Sequence, residues 1–563
     1  MTLSRKDKDF RTNKTSYLEF KQIEMDRVLT TLLARIRHSG LPSRIRRTVD
    51  VTLEDFTNEF LDNKDKFVGF DKHPKVVEQW LETHLMDVVN RGKPTQAIAA
   101  PRPLHGFTYR FRNSKKCRDY GAAQQIYETL YHARTGGQNA IDQLKRFFFP
   151  GHDLNTDKFD SDTQIDVETQ ALLALCDQVK QDAPDTSKER DSQKPVCVGS
   201  ADLMADDVVR LLVYQKYIPR SVMVDYLKIL LSFHMALSHL RLFKLLPLLV
   251  KRRSADSTCS AGNCPMQPRN LSDPHGSCPY RVFLLADVAN VPGTHMATLA
   301  ERSAAVQFGR ITGFVKANYT VKKLDEFAEH LMRKGKRVRP DGGFEIGDLL
   351  QLLEPTHKPE REAFFSSRLA GLLETSSGGS KDDIAPEIAA IVDMGLSDFE
   401  TYIEIIVGLT VAHSRGHRRN IVTALDSLMM KNKDGALLAQ PRAAKSKRRI
   451  VLDSRLLEVL LQIAVLRPEG EHGFHTAEMR IDEVLTFLRE RYGIYVDRLP
   501  PNDEFGDASI TDREALRENL SAFKNRLREV GFYRDLSDAY VSQTVTPRYS
   551  IAKHGAAVEE EGA

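Results

Sequence analysis

The sequence lacks the motifs that mark the common enzyme classes. Its 563 residues contain no Walker A loop, no G-x-G-x-x-G fingerprint, no H-E-x-x-H helix and no G-x-S-x-G elbow. The sequence therefore carries no signature of the familiar nucleotide hydrolases, dinucleotide-dependent oxidoreductases, zinc proteases or α/β-hydrolases. These absences favour a non-enzymatic role, with a nuclease or another enzyme with an unrecognised active site as the alternative.

Long uncharged apolar runs are also absent. The most apolar stretch, residues 221–250, is interrupted by Asp225, Lys228, Arg241 and Lys244, so no run of about 18 uncharged residues survives. We expect a buried amphipathic helix over Arg220–Leu246 and no membrane partner. The N-terminal MTLSRKDKDF has no apolar segment of the kind that signal peptides carry. We therefore expect a cytoplasmic location.

Cysteine is scarce, and half of it is clustered. Three of the six cysteines fall within residues 255–280, in the pattern C-x4-C-x10-H-x2-C. This loop is rich in Pro, Gly, Ser and Asn, so apolar burial cannot hold it. Thiolate and imidazole groups are the ligands that zinc prefers in closed tetrahedral sites. The loop predicts a structural zinc bound by Cys259, Cys264, His275 and Cys278, with an iron–sulfur cluster or a metal-free loop as alternatives.

Positive charge is concentrated in three blocks, although the net charge is only +4. Residues 1–50 hold twelve Lys/Arg against six Asp/Glu, and residues 411–450 hold ten against two. A third block is the short run from Arg333 to Arg339. Such blocks suit a polyanion or form a solvated surface. In the second block we predict that the nucleic-acid-binding residues are Arg415, Arg418, Arg419, Lys447, Arg448 and Arg449.

The C-terminal part predicts a winged-helix domain. A capped apolar helix begins at Asp453, a second follows Thr476, and a third begins at the T-x-x-E capping box of Thr511 and Glu514. Two strands then lie between Phe532 and Val545, which completes the winged-helix order. The candidate DNA-binding residues of this domain are Arg513, Arg517, Lys524 and Arg528 on the third helix, and Arg534 in the hairpin.

The remaining periodicities are mostly helical, apart from a short hairpin predicted at Phe107–Phe111. We therefore expect a mainly α, multi-domain protein with a C-terminal winged-helix domain and a small zinc-stapled loop. The predicted parts are a basic helical domain (1–150), an acidic loop, helix and linker (151–200), a central helical domain (201–430), a basic linker (431–450), the winged-helix-like domain (451–555) and an acidic tail (556–563).

Two regions carry a resemblance to a known family. One is Tyr217-Ile-Pro-Arg220, the long Leu-rich helix after it and the following cysteine loop. The other is LDSRLLEVLLQIAVL together with RLREVGFYRDLSDAYV. Together they resemble accessory subunits of bacterial multi-gene phage-defence systems of the methylation-associated kind. The resemblance implies a cytoplasmic protein that acts with nucleases, methyltransferases or ATPases encoded beside it. It transfers no active-site residues.

These observations leave three candidate functions for the protein. The first is a non-enzymatic DNA-binding or scaffold component of an antiviral defence complex, with DNA and other defence subunits as partners. The second is the enzyme with an unrecognised active site. The third is a protein-interaction adaptor that binds no nucleic acid. Binding through phosphates weakens steeply with salt, so salt-dependent duplex binding separates the first function from the third.

Overall fold

The fold is described by a computed structural model of the chain. The described residues are 5–156, 158–160, 166–175, 182–187, 189–253, 278, 280–340, 342–376, 386–412, 415–440, 447–470, 473–501, 505–533 and 544–553. All statements below concern these residues.

The chain is mainly helical, as its sequence predicts. The helices of the first half are α1 (Arg5–Lys8), α2 (Met25–Arg37), α3 (Leu53–Asp62), α4 (Pro74–Trp80, continued by a π-helical turn over Leu81–Leu85), α5 (Ala122–Tyr131), α6 (Gly137–Phe148), α7 (Val167–Ala174), α8 (Val198–Leu212) and α9 (Arg220–Arg252). Those of the second half are α10 (His295–Gly309), α11 (Ile311–Arg333), α12 (Ile346–Gln351), α13 (Lys358–Ser376), α14 (Pro386–Val392), α15 (Asp398–Ala412), α16 (Arg415–Met429), α17 (Ser454–Ala464), α18 (Ile481–Phe487, continued by a π-helical turn over Leu488–Tyr492) and α19 (Ile510–Glu529).

The strands are short and pair two by two. They are β1 (Met86–Val89), β2 (Ala97–Pro101), β3 (His152–Asp153), β4 (Lys158–Phe159), β5 (Leu284–Leu285), β6 (Leu438–Ala439), β7 (Arg449–Ile450), β8 (Leu466–Glu469), β9 (Gly473–Thr476), β10 (Met479–Arg480), β11 (Ile494–Tyr495) and β12 (Thr544–Val545). The pairs β1–β2, β3–β4, β6–β7, β8–β9 and β10–β12 are antiparallel, and β5–β11 is parallel. Each pair forms a short two-stranded ribbon, so the fold is built mainly from the helices.

Helix α9 lies at the centre of the main hydrophobic core. It packs against α2, α8, α11, α16 and α17, which come from well-separated parts of the chain. Its leucines recur at helical spacing on more than one face, so apolar neighbours surround it. The core cluster around it draws residues from Phe10 to Val545. The prediction of a long buried helix is confirmed, and the helix continues through Pro247 to Arg252.

By length and composition alone, α9 would also be apolar enough to cross a bilayer. However, 89% of its most apolar 18-residue window is buried inside the fold. A helix at the centre of a helical core has this same composition. The packing of α9 therefore accounts for its apolar character.

His239 shows how α9 holds the N-terminal segment. The Nδ1 atom of His239 donates to the carbonyl oxygen of Met235 at 2.7 Å, and Nε2 lies 2.9 Å from Ser16 Oγ. Burial lowers the pKa of His239 to about 4. The imidazole is therefore neutral in the folded protein at pH 7.

We expect this histidine to make stability depend on pH. The unfolded chain protonates it near pH 6.5 and the folded chain only near pH 4, so its contribution is complete above about pH 6.5 and is lost as the pH falls toward 4. From these values, the loss between pH 7 and pH 5 is about 2 kcal/mol. The free energy of unfolding in urea differs between pH 7 and pH 5, and His239→Gln should make this difference about 2 kcal/mol smaller. The same change at exposed His73 should leave the difference unchanged.

The part of the chain from α17 to β12, the C-terminal module, is joined to the central helices by backbone hydrogen bonds and close packing. Strand β11 pairs with β5, so that Ile494 lies opposite Leu284. Gly493 precedes β11 with φ of +77°, and a Cβ atom there would lie 2.1 Å from the carbonyl oxygen of Val282. Only glycine tolerates both the positive φ and this approach.

Strands β10 and β12 and Tyr533 form a small antiparallel group in this module. Strand β10 pairs with β12 through Met479 and Val545. Val545 also forms an antiparallel bridge with Tyr533, just after α19. Strand β12 therefore lies between β10 and Tyr533. Residues 534–543, including Arg534, lie outside the described residues.

Two local predictions are wrong. Residues Gly106–Phe111 form a 3-10 helix instead of a hairpin, started by His105, whose Nδ1 accepts from the backbone N–H of Phe107 at 3.3 Å. The capping box of α19 is made by Ser509 and Asp512, two residues before the predicted pair. The alternating pattern of FTYRF resembles a strand, and S-x-x-D overlaps T-x-x-E, so the sequence offers both alternatives.

Candidate nucleic-acid interface

A groove of about 1140 Å³ lies among α10, α11, α15 and α16, beside the segment that enters β7. Helix α10 supplies one wall, and α16 with Lys447 and Arg448 supplies the other. The groove is lined by Thr298, Glu301, Arg302, Ala304, Ala305, Phe308, Gly309, Thr312, Val315, Val407, His417, Arg418, Arg419, Val422, Lys447 and Arg448. It is the candidate functional site, and we refer to it as the basic groove.

Helix α16 is fixed to α11 at the end of the groove by His417. Its Nε2 atom lies 3.2 Å from Tyr319 Oη, and its ring lies 5.2 Å from that of Phe10. Burial lowers the pKa of His417 below its ordinary value, so it is neutral at pH 7. His417 therefore sets the position of the neighbouring arginines and adds no charge itself.

Arg448 anchors the segment before β7. Its Nε donates to Asp426 Oδ1 at 2.8 Å and its Nη2 donates to Asp426 Oδ2 at 2.7 Å. The guanidinium also lies 5.2 Å from the centre of the Phe308 ring. Because this bidentate pair neutralises Arg448, its role at the groove is to hold the segment against α16 and α10.

The uncompensated charge of the groove belongs to Arg418, Arg419 and Lys447. All three are exposed, and among the described residues none of them forms an ion pair. On the facing wall, the guanidinium of Arg302 lies 4.8 Å from the centre of the Phe505 ring. Glu301 is the one acidic residue among those lining the groove. The groove therefore presents a clear excess of positive charge along the wall formed by α16 and Lys447.

Of the two other predicted residues of the same block, one is paired inside the protein and the other has an undescribed side chain. Arg449 is buried, with Nε 3.4 Å from Asp287 Oδ2, and it donates to Asn290. Its charge is therefore directed into the protein. Arg415 begins α16, and its side chain lies outside what the structure describes.

The predicted basic face of the third C-terminal helix is present on α19. Arg513, Arg517 and Arg528 are exposed and Lys524 is half-buried. Their spacing of four, seven and four residues puts them on one side of the helix. Helix α19 holds five Lys/Arg and four Asp/Glu, so its net charge is only +1. Its exposed side is therefore less positive than the basic groove.

The predicted zinc site cannot be placed. Cys259, Cys264 and His275 lie outside the described residues, and only Cys278 is described, half-buried against the main core. Among the described residues, no group of three or more His, Cys, Asp or Glu could hold a metal ion. The structural zinc stays a prediction.

A serine, a histidine and an aspartate meet in the N-terminal half, but not as a catalytic triad. His38 Nε2 lies 2.9 Å from Asp182 Oδ2, and Ser43 Oγ donates to Asp182 Oδ1 at 2.8 Å. Both side chains bind the carboxylate, and His38 and Asp182 are buried. The serine is not activated by the histidine, so the cluster joins two chain segments.

The sequence pointed to four of the groove residues and missed the opposite wall. Arg418, Arg419, Lys447 and Arg448 belong to a visible charge block, whereas Arg302 lies in a helix of ordinary composition. The apolar residues that line the groove carry no signal, because in the sequence they look like core positions. Only the packing of α10 against β7 brings the two walls together.

One comparison with known proteins identifies the family of this chain. Residues 5–549 match the family model described as methylation-associated defense system protein MAD7. The match spans nearly the whole chain, so the chain belongs to this family, which confirms the resemblance seen in the sequence. No curated protein matches the chain.

Proposed function

We propose that this member of the defence-system family is a non-enzymatic DNA-binding component, and that the basic groove is its principal contact with DNA phosphates. Other subunits of the same system are the proposed partners, and the cytoplasm is the proposed location. The observation that carries the proposal is the meeting of Arg418, Arg419 and Lys447 without ion-pair partners among the described residues.

The three cations destabilise the protein when no anion is bound. Three like charges on the rim of one groove repel one another, and an anion between them relieves that repulsion. Phosphate matches the bidentate geometry of arginine, and DNA provides phosphates in a regular row. Arg448 does not need to touch DNA in this arrangement, because its bond to Asp426 holds the groove wall in place.

We also infer that α17, α18 and α19 with β10, Tyr533 and β12 form a winged-helix module. The order of three helices supports this inference, and so does the position of β12 between β10 and Tyr533. In such a module α19 would lie against the major groove of a duplex. Its four aligned cations provide a second, weaker contact with phosphates.

Removing the groove charges should weaken DNA binding by about 10- to 100-fold near 150 mM salt. The variant is Arg418→Ala, Arg419→Ala and Lys447→Ala, and the measurement is fluorescence anisotropy with labelled DNA from 50 to 200 mM KCl. Each phosphate contact contributes about 0.7–0.9 to the slope of log K against log salt concentration. The slope should therefore decrease by about 2 to 3.

The matched control removes three exposed lysines from the N-terminal half, Lys72, Lys75 and Lys93. It makes the same change in net charge, so it should alter the slope far less than the groove variant. Equal effects of the two variants would show that the groove is not the contact. Absence of DNA binding by the wild-type chain would favour the adaptor, and magnesium-dependent cleavage would favour a nuclease.

A further inference from the structure

We infer that the basic groove receives an unstacked nucleotide, with its base on the apolar floor and its phosphate at the cationic rim. This inference rests on the proposed function and deepens it, because it names the form of nucleic acid that the groove takes. The nucleotide comes either from a single strand or from a free nucleotide, since both offer the same pair of groups.

The floor of the groove is apolar. It is formed by Phe308 on α10, Val315 on α11, Val407 on α15 and Val422 on α16. Phe308, Val315 and Val407 are buried, and Val422 is half-exposed beside the arginines of the same helix. A site for phosphate alone does not need such a floor. Apolar surface next to cations suits a ligand with a flat ring on one side and an anion on the other.

The shape of the site argues against a duplex. Proteins read a duplex by inserting a helix or ribbon into one of its grooves, which requires a protruding element. The basic groove is concave, so a duplex would meet its rim with phosphates while its bases stayed stacked inside. An unstacked strand presents its bases to the protein together with its backbone. Only that form uses both the rim and the floor.

The size of the groove fits this ligand. Its volume of about 1140 Å³ exceeds the ~300–1,000 Å³ typical of small-molecule pockets. It therefore has room for a nucleotide and for the backbone on either side of it. Arg418 and Arg419 from α16 line one wall together with Lys447, so a strand along the groove meets a group of cations on that side.

The test separates the floor from the rim. Val422→Gln removes apolar surface without changing charge, and the probes are a labelled 20-nucleotide oligothymidylate and a labelled 20-base-pair duplex. We expect the affinity of the full chain for the single strand to fall about 10-fold and that for the duplex to stay the same. Val422→Met keeps the floor apolar and should bind like the wild type. Val76→Gln, on exposed α4, is the matched control for the substitution itself.

Titration with dTMP distinguishes the two sources of the nucleotide. The dTMP is tested alone and as a competitor of the oligothymidylate. Binding of the strand with loss in Val422→Gln supports a strand, whereas saturable binding of dTMP alone with the same loss supports a free nucleotide. If the chain binds duplex and strand alike and Val422→Gln changes neither, the proposed function stands and this inference is overturned. If the wild type binds neither nucleic acid nor dTMP, both are overturned.

Discussion

Replacing Asp207 with asparagine is expected to destabilise the folded protein by about 3–5 kcal/mol, the range found when one partner of a buried ion pair is removed. Asp207 is fully buried between α8 and the end of α18. Its Oδ1 atom accepts from Arg491 Nε at 2.9 Å, and its Oδ2 atom lies 2.9 Å from His234 Nε2 and accepts from Tyr492 Oη at 2.8 Å. An amide in its place would leave the buried guanidinium with only Asp206 as an anionic partner.

The pKa of Asp207 gives the pH range in which this network acts. Burial alone would raise the pKa of the carboxyl, but Arg491 and His234 hold it at about 2. A folded pKa below the unfolded value of about 3.9 means that the stabilisation is complete above pH 4 and is lost as the pH falls toward 2. The wild type and Asp207→Asn should therefore differ most at neutral pH and converge in acid.

The measurement is urea unfolding followed by circular dichroism at 222 nm. Asp225→Asn is the matched control, because the Asp225 side chain is 65% exposed and its partner Lys228 keeps a second carboxylate, that of Asp26 at 2.9 Å. Loss of so exposed a carboxylate should cost less than about 1 kcal/mol. Adding Arg491→Met to Asp207→Asn should recover part of the loss, since it removes the unpaired charge. If Asp207→Asn were as mild as Asp225→Asn, the network would not join the C-terminal module to the core.

The sequence predicted the long helices well, because burial and helical spacing act within one segment. Helix α9 is the clearest case, and α17 begins at the predicted cap, where Asp453 accepts from the backbone N–H of Arg455. The apolar spacing of residues 16–38 also fits a helix, but α2 begins only at Met25. Residues 16–24 instead form an irregular segment in which Phe20 has a φ of +48°, and the backbone N–H of Tyr17 donates to Gln125 at 2.9 Å. Because this partner lies 108 residues away, the sequence around Tyr17 does not reveal the contact.

The polar network was missed for the same reason. In the sequence, His234 is simply a histidine within an apolar helix, because nothing near it indicates Asp207 or Tyr492. The two partners lie 27 and 258 residues away. The basic groove was half predicted, because α16 and Lys447–Arg448 carry visible charge whereas the apolar floor does not. Charge blocks can be recognised from sequence, but their alignment with an apolar surface depends on packing.

Asn519→Asp is expected to destabilise the attachment of α19 by about 3–5 kcal/mol, the sum expected for two buried hydrogen bonds lost at a charged group. Asn519 is 1% exposed and joins three backbone segments. Its Oδ1 accepts from the N–H of Val288 at 2.9 Å, and its Nδ2 donates to the carbonyl oxygens of Ala286 at 2.9 Å and Val496 at 2.8 Å. An aspartate has the same shape, but its carboxylate would face two carbonyl oxygens without a proton to share.

This substitution carries its own pH signature. Burial against carbonyl oxygens raises the pKa of the new carboxyl above its unfolded value, because only the protonated form can donate. The destabilisation relative to the wild type should therefore be smaller at pH 5 than at pH 8, because the pKa of the new carboxyl is raised, whereas that of Asp207 is lowered. Hydrogen exchange of the α19 amides at the two pH values measures it locally. The exposed Asn525→Asp, on the same helix, should stay within about 0.5 kcal/mol of the wild type at both. A pH-independent loss in Asn519→Asp would mean that shape, and not the donated hydrogen bonds, holds α19 to the core.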